Sequence, residues 1–432
     1  MRSTFDAIII GGGPAGSTAA ILLARAGWSV ALLEASSFPR RKVCGECIAA
    51  GNFPLLDALG LGEALRHRSG PELRRVALWC ADESISATLP ACEGAQPWGR
   101  ALGREHLDSL LLEHARACGA LVLQPYKALS VREWEGNVGH EVVAVGRADG
   151  GKLTLRAATV IRAHGSWEAP PANGSARHAR AQNPYRAWRR RPSDLLAFKA
   201  NFRGGRLAAG LLPVLAFAGG YGGMVVGGDE FITLACCIRR DRLAACRHDG
   251  ARTTARAGEV IEALLRRECH GVRDALADAS RVGPWLAAGP IRPGMRLART
   301  DSGAFLIGNA AGEVHPIIGE GISMALQSAW LLCAELAGCA DAVRRDERGE
   351  LCRRMIRRHY AALWRAHFST RMRLAACFAH AAMHPRLSAP LLLLLRRAPA
   401  LLAVAAYASG KTRSAVASPC EIHPAVIHEP TT

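Results

Sequence analysis

Lysine is nearly absent. Only five of the 55 basic residues are Lys, at 42, 127, 152, 199 and 411. Arginine therefore carries the net charge of +18, in a chain that is also rich in alanine. That bias reads as genomic composition. With no reader motif beside it, the charge excludes a dedicated nucleic-acid binder but still favours anionic ligands. Also lacking is an N-terminal apolar core followed by a cleavage site, because Met1 to Asp6 runs straight into Ala7-Ile8-Ile9-Ile10 and glycines. No window reaches ~18 uncharged apolar residues, so no transmembrane helix is expected. The nearest, residues 389 to 407, is interrupted by Arg396 and Arg397. Fourteen cysteines without a signal segment read as cytosolic thiols and not as a disulfide framework. The expected location is cytoplasmic. No internal repeat is present.

The chain has 432 residues, half of them apolar and a fifth charged. It can bury a large core, and about 150 residues per domain suggests two or three domains. Phe5 to Ile10 reads as a buried strand. Gly11-Gly12-Gly13-Pro14-Ala15-Gly16 follows, then Ala, Ile and Leu at helical spacing up to Ala26, with Gly27 as the stop. Ser29 to Glu34 is a second strand, which completes a βαβ unit. Leu55 to Leu65 reads as one helix, and Arg104 to Cys118 as an amphipathic helix. Residues 129 to 163 alternate like antiparallel strands, as does much of 195 to 239. Residues 168 to 194 are a loop or a crossover, and from Ser323 onward the chain is helical.

Gly11-x-Gly13-x-x-Gly16 between a strand and a helix, with Glu34 closing the next strand, is the fingerprint of a dinucleotide site. Gly11 permits the tight turn, Gly13 lets backbone approach a pyrophosphate, and Gly16 lets helix pack on strand. Pro14 and Ala15 open the helix whose N–H groups face the phosphates. Glu34 and the adjacent Ala35 lie at the ribose end, and the acid repels a 2′-phosphate. FAD or NAD is therefore expected, not NADP. A nicotinamide dehydrogenase would complete its sheet with a second mononucleotide half. This chain instead returns late with strand, glycines and helix, at Phe305 to Ile322. That favours FAD.

These segments resemble the FAD-dependent oxidoreductases of the geranylgeranyl-reductase and aromatic-hydroxylase superfamily, with a p-hydroxybenzoate-hydroxylase-like fold. The match lies in residues 6–47, 104–166 and 289–330. It is carried by Lys42-Val43-Cys44-Gly45-Glu46, by Gly289-Pro290-Ile291-Arg292-Pro293, and by Gly308-Asn309-Ala310-Ala311-Gly312 with Pro316 and Gly319-Glu320-Gly321. The resemblance implies an α/β chain whose Rossmann-like FAD-binding domain (1–70, 100–168 and 289–340) is interrupted by an antiparallel substrate-domain sheet (71–99 and 190–288). A C-terminal helical region (341–408) and a loose tail (409–432) follow. It implies that Lys42, Cys44, Gly45 and Arg104 reach the cofactor. Gly308 and Asn309 would hold the ribityl chain, Asn309 replacing the family's Asp. Pro316, Gly319, Gly321 and the helix starting near Ile322 would face the isoalloxazine. Lys199, Phe202 and Tyr221 are candidate substrate-pocket residues.

Cys44-Gly45-Glu46-Cys47 admits several readings. Zinc needs a second ligand pair, and adjacent Cys236-Cys237 offers poor geometry, so no metal is expected. A redox disulfide needs a second nucleotide fingerprint, which is missing. The favoured reading places Cys44 beside the flavin as the catalytic residue, with Cys47 incidental. The remaining one is two small buried residues. Where aromatic hydroxylases have Gly-Ala-Asp-Gly, this chain has Arg162-Ala163-His164-Gly165. His164 cannot act as that acid, so the electron donor is left open between NAD(P)H and a donor protein such as a ferredoxin. The Trp-x-Trp-x-Ile-Pro stretch of tryptophan halogenases is missing, which argues against halogenation. The expected activity is hydride transfer to or from a lipophilic or aromatic small molecule. The alternatives are a monooxygenase of an aromatic or polyketide-like substrate and a non-enzymatic flavoprotein. Residues 389–408 either lie on an anionic membrane surface or pack as a plain helix.

Overall fold

The computed structural model describes residues 3–94, 96–134, 139–166, 172–173, 190–248, 256–297, 303–339 and 346–414. The strand Thr4–Ile10 is apolar from Ala7 to Ile10 because both faces of its sheet are covered there. It pairs in parallel with Val30–Leu33 on one side and with the end of Lys152–Arg162 on the other. The helix Pro14–Arg25 makes the crossover between the first two strands. Phe305–Leu306 then joins the far side of Lys152–Arg162, in register with Ile161 and Arg162. That pairing brings the late glycine block beside the first one, although nearly 300 residues separate them in sequence. The helices Gly321–Gly338 and Arg104–Ala117 both pack on Pro14–Arg25, burying Leu326, Leu332, Leu107 and Leu111 in one core.

A second sheet has seven strands in the order Ser280–Ile291, Leu195–Arg203, Ile232–Arg239, Gly220–Val226, Leu211–Phe217, Arg75–Cys80 and Glu83–Thr88. Every neighbouring pair is antiparallel except Leu211–Phe217 with Arg75–Cys80. Its two faces follow the period of two. Phe198, Ala200 and Phe202 face the helix Ala257–Glu268 and form a core with Ile261 and Leu264. Leu195 and Ala197 face the other way, beside Tyr221 and Cys237. Cys236 and Cys237 thus point to opposite faces of their strand.

The helix Asp346–Met383 buries Ile356, Tyr360, Trp364, Phe368, Ala375 and Ala379, a stripe that mostly repeats every four residues. The helices Pro385–Arg397 and Ala400–Ala408 follow, bent by 115° at their break. No single helix among the described residues is long and apolar enough to cross a membrane.

Three expectations need correction or limits. The helix expected over 55–65 is two short ones, Phe53–Ala58 and Gly62–Arg68. They are separated at Gly60, whose φ of +75° is not helical. The tail is not loose at its start. Ser409 is buried, the Gly51 backbone N–H donates to the Lys411 carbonyl, and the Gln327 side-chain amide donates to that of Arg413. A polar backbone buried at such a place needs these partners, and the fold supplies them. Cys420, His423 and His428, and most of the 168–194 segment, lie outside the described residues.

Candidate FAD and substrate site

A cavity of about 500 Å³ runs between the two glycine blocks and the second sheet. Gly11, Gly13, Pro14, Ala15 and Glu34 line it. So do Lys42, Cys44, Gly45, Arg104, Gly308 and Asn309, together with Pro316, Gly319, Gly321 and Ile322. Two predicted residues are not on the wall. Gly16 is a packing residue, because a Cβ there would collide with the Gly11 carbonyl oxygen. Ala35 is buried behind the end of its strand.

The local geometry suits a dinucleotide. A Cβ on Gly13 would meet only the tip of Arg104, at 3.8 Å, and one on Gly321 would meet nothing within 4 Å. Both glycines therefore leave open space on the cavity side, where the pyrophosphate and the ring would lie. Glu34 is fixed in place by hydrogen bonds from the backbone N–H of Gly12 (2.7 Å) and Ser36 (2.8 Å), with Arg40 at 3.4 Å. Its carboxylate retains lone pairs for ribose hydroxyls. Asn309 donates to Ser166 Oγ at 2.8 Å, and its carbonyl accepts from Arg296 at 2.6 Å. The residues present thus fit FAD.

Arg104 is clamped by Asp108 through two hydrogen bonds of 2.7 Å. Burial opposes its charge, but Asp108, and behind it the Cys44 sulfur that the guanidinium also reaches, keep it protonated. Cys44 is half-buried and its sulfur accepts a hydrogen bond from the Glu46 N–H at 3.3 Å. Cys47 is buried, and burial pushes its thiol up, with Lys411 acting in the opposite direction. Both cysteines line the cavity, but Cys44 pairs with the Arg104 guanidinium and Cys47 with Lys411. We expect Cys44→Ala to retain FAD while lowering the rate of flavin reduction or reoxidation by about tenfold or more. Cys47→Ala should stay within about twofold of the parent. Stopped-flow absorbance at the flavin band measures both, and equal rates in the two variants would leave Cys44 a packing residue.

Tyr221 lines the cavity and its hydroxyl lies 3.1 Å from His315 Nδ1. Phe202 does not reach the cavity. It points to the opposite face of its strand and meets Trp285 edge-on. Lys199 faces the cofactor-binding sheet but does not line the cavity, because a buried ion pair with Glu46 holds it. Glu46 has φ +58°. Its carboxylate accepts from Lys199, from Thr233 Oγ1 at 2.7 Å and from the Arg104 backbone N–H at 3.0 Å. It therefore anchors the turn carrying Cys44, the start of the Arg104 helix and the second sheet together. Sequence reasoning missed this role, since nothing local to Glu46 announces partners more than 150 residues away.

Lys411 was missed as well. Its ammonium is 3.2 Å from Glu320 and 3.8 Å from Cys47 Sγ. It also lies beside Gly319 on the cavity wall. Arg371 approaches Glu320 at 4.0 Å and donates to Gln327 at 2.9 Å. Glu320 is fully buried, and these two cations compensate its charge at the start of the helix Gly321–Gly338.

Three histidines favour the neutral form, His140 buried and His164 and His315 half-buried. Burial lowers His164 to about 3, with Arg162 and Arg296 adding to it. It lowers His315 to about 4, and His140 to about 4 with Arg353 contributing. The unfolded chain binds these protons near pH 6.5 and the folded one does not, so stability is full above pH ~6.5 and is lost as pH falls toward 4 and 3. We expect the urea midpoint of the apo-protein to fall steadily from pH 7 to pH 5. A midpoint that is flat or rises over that range would contradict the neutral form.

The comparisons agree with this geometry. Residues 4–177 match the FAD binding domain family. The menaquinone reductase of Mycobacterium tuberculosis is 32% identical over 155 residues, 35% of this chain and 36% of its own length. The 6-methylpretetramide 4-monooxygenase of Streptomyces rimosus is 34% identical over 163 residues, 38% of each chain. These alignments span little more than a third of each relative. Among solved structures, a myxobacterial chondrochloren halogenase superposes with a TM-score of 0.66 at 24% identity, covering 85% of this chain and 82% of its own. A geranylgeranyl bacteriochlorophyll reductase-like protein of Thermoplasma acidophilum gives 0.63 at 18%, covering 87% and 86%. At such identities these two are likenesses of fold. With the fingerprint, the late glycine block and the domain match together, residues 4–177 form an FAD binding domain, the chain shares the fold of these flavoproteins, and its cofactor is FAD.

Proposed function

We propose that this protein is a flavoprotein reductase or dehydrogenase acting on a lipophilic small molecule. The observation that carries the reading is the wall of the cavity beyond the flavin-facing loop. Val76, Leu78, Met224 and Val225 come from the second sheet, and Leu391, Leu392, Leu395 and Leu402 from the two C-terminal helices. Such a wall binds apolar length without offering it hydrogen bonds. Bound FAD supplies hydride exchange at its ring. Gly13 and the helix it opens would hold the pyrophosphate, and Arg104 would add its fixed charge. Gly319 and Gly321 would let backbone lie against the ring, and Cys44 and Tyr221, on the same cavity wall, would border the bound substrate. The roof of leucines excludes water from that space. The menaquinone reductase likeness supports this reading.

The second reading is a monooxygenase, supported by the likeness to the pretetramide enzyme. One experiment separates them. Photoreduced holoprotein is mixed anaerobically with a menaquinone or a polyprenyl alkene, and oxygen uptake is followed in parallel. We expect flavin reoxidation without oxygen and little oxygen consumption coupled to product. Product formed only with oxygen, one molecule consumed for each product, would replace the reductase reading by the monooxygenase.

A further inference from the structure

The two C-terminal helices that roof the cavity present a second apolar face outward. Ten large apolar side chains are exposed among the described residues, and six of them lie on this pair: Leu387, Leu393, Leu394, Leu401, Val404 and Tyr407. Leu393, Val404 and Tyr407 are each about 60% exposed. Clustering of this kind marks an interaction surface and not ordinary scatter. Leu401 is both exposed and on the cavity wall, so apolar surface runs from the outside of the roof into the site.

The charge carried by the pair itself has one sign. Residues 385–408 contain Arg386, Arg396 and Arg397, and no Asp or Glu. Arg396 is paired with Glu83 at 3.1 Å. Arg386 and Arg397 are exposed and make no ion pair among the described residues. The helix Ala400–Ala408 carries no charge at all. A bent pair of short helices, apolar outward and rimmed by arginine, suits the interface of a bilayer with anionic headgroups. An acidic protein partner would be offered few cations here and a bare apolar centre.

We propose that the helices Pro385–Arg397 and Ala400–Ala408 dock the protein on an anionic membrane surface, with their outer leucines in the interface and the cavity opening toward the lipid. An apolar substrate could then pass from the bilayer to the flavin side without crossing water. The docking goes beyond the reductase reading, and vesicle binding is measured without turnover, so either can fail alone.

The test is co-sedimentation of the FAD-loaded protein with vesicles of phosphatidylcholine alone and of phosphatidylcholine mixed with phosphatidylglycerol. The expected result is binding to the anionic vesicles, at least several-fold tighter than to the neutral ones. Leu393→Glu with Val404→Glu should lower it more than tenfold while the flavin spectrum and the melting temperature hold, since neither residue lines the cavity. Arg386→Gln with Arg397→Gln should weaken binding to anionic vesicles by on the order of tenfold and leave binding to neutral ones unchanged. Failure to bind either vesicle, or equal binding by the Leu393→Glu/Val404→Glu variant, overturns the proposal. So does a dimer in solution that this variant converts to monomer without any vesicle binding, which would assign the face to a second copy of the chain.

Discussion

Gly13→Val is expected to give a folded, colourless protein. The space around Gly13 is open on the cavity side, with only the Arg104 tip within 4 Å. A Cβ can therefore be added with no contact closer than 3.8 Å. It would occupy the place where a pyrophosphate approaches the helix starting at Pro14. The loss should be on the order of 3 kcal/mol, or about 100-fold in FAD affinity. Isothermal titration with FAD, alongside circular dichroism of the apo-protein, measures both halves of the expectation. A variant that stays yellow and folded would contradict the fingerprint reading. Gly16→Ala should behave differently. Its Cβ collides with the Gly11 carbonyl, so the damage falls on the fold before it reaches the cofactor.

Lys199→Met should cost more stability than any other single change considered. The lysine and Glu46 are both buried and form an ion pair, with Thr233 and the Arg104 N–H completing the carboxylate's partners. Removing the cation leaves a carboxylate out of water with only neutral donors. The expected cost is about 3–5 kcal/mol, read as a drop in the urea midpoint at an unchanged slope. Lys199 does not line the cavity, but Glu46 does and holds the Cys44 turn and the Arg104 helix, so FAD titrated into the folded fraction should bind more weakly than to the parent. A loss under about 1 kcal/mol would mean that water reaches the pair in solution.

The site was legible in part. The two glycine blocks, Glu34, Arg104 and Asn309 could be named because backbone contact with a dinucleotide constrains residue type at fixed spacing. Fifteen of the seventeen positions predicted to hold the cofactor line the cavity. Gly16 and Ala35 do not, since one serves packing and the other stands behind the wall. The substrate side was less legible. Of Lys199, Phe202 and Tyr221, Tyr221 alone lines the cavity. Strand character identifies a residue's neighbours along the chain, but which face meets the cofactor depends on what each face packs against.

The sequence by itself determined the local physics: a βαβ unit at the N-terminus, a strand–glycine–helix near residue 305, and a cofactor with a pyrophosphate and an unphosphorylated ribose. These depend on residues within about 30 positions of one another, where spacing carries the information. Tertiary structure alone decided the long-range pairings. It set Phe305–Leu306 beside Lys152–Arg162, joined the hairpin at 75–88 to strands more than a hundred residues later, and locked Glu46 to Lys199. It also tied Ser409 to Arg413, expected as a loose tail, onto the fold, with Ser409 and Lys411 on the cavity wall and Lys411 on Glu320. The physical reason is that a buried charge or backbone group must find a partner somewhere, and a linear pattern does not record which distant segment supplies it.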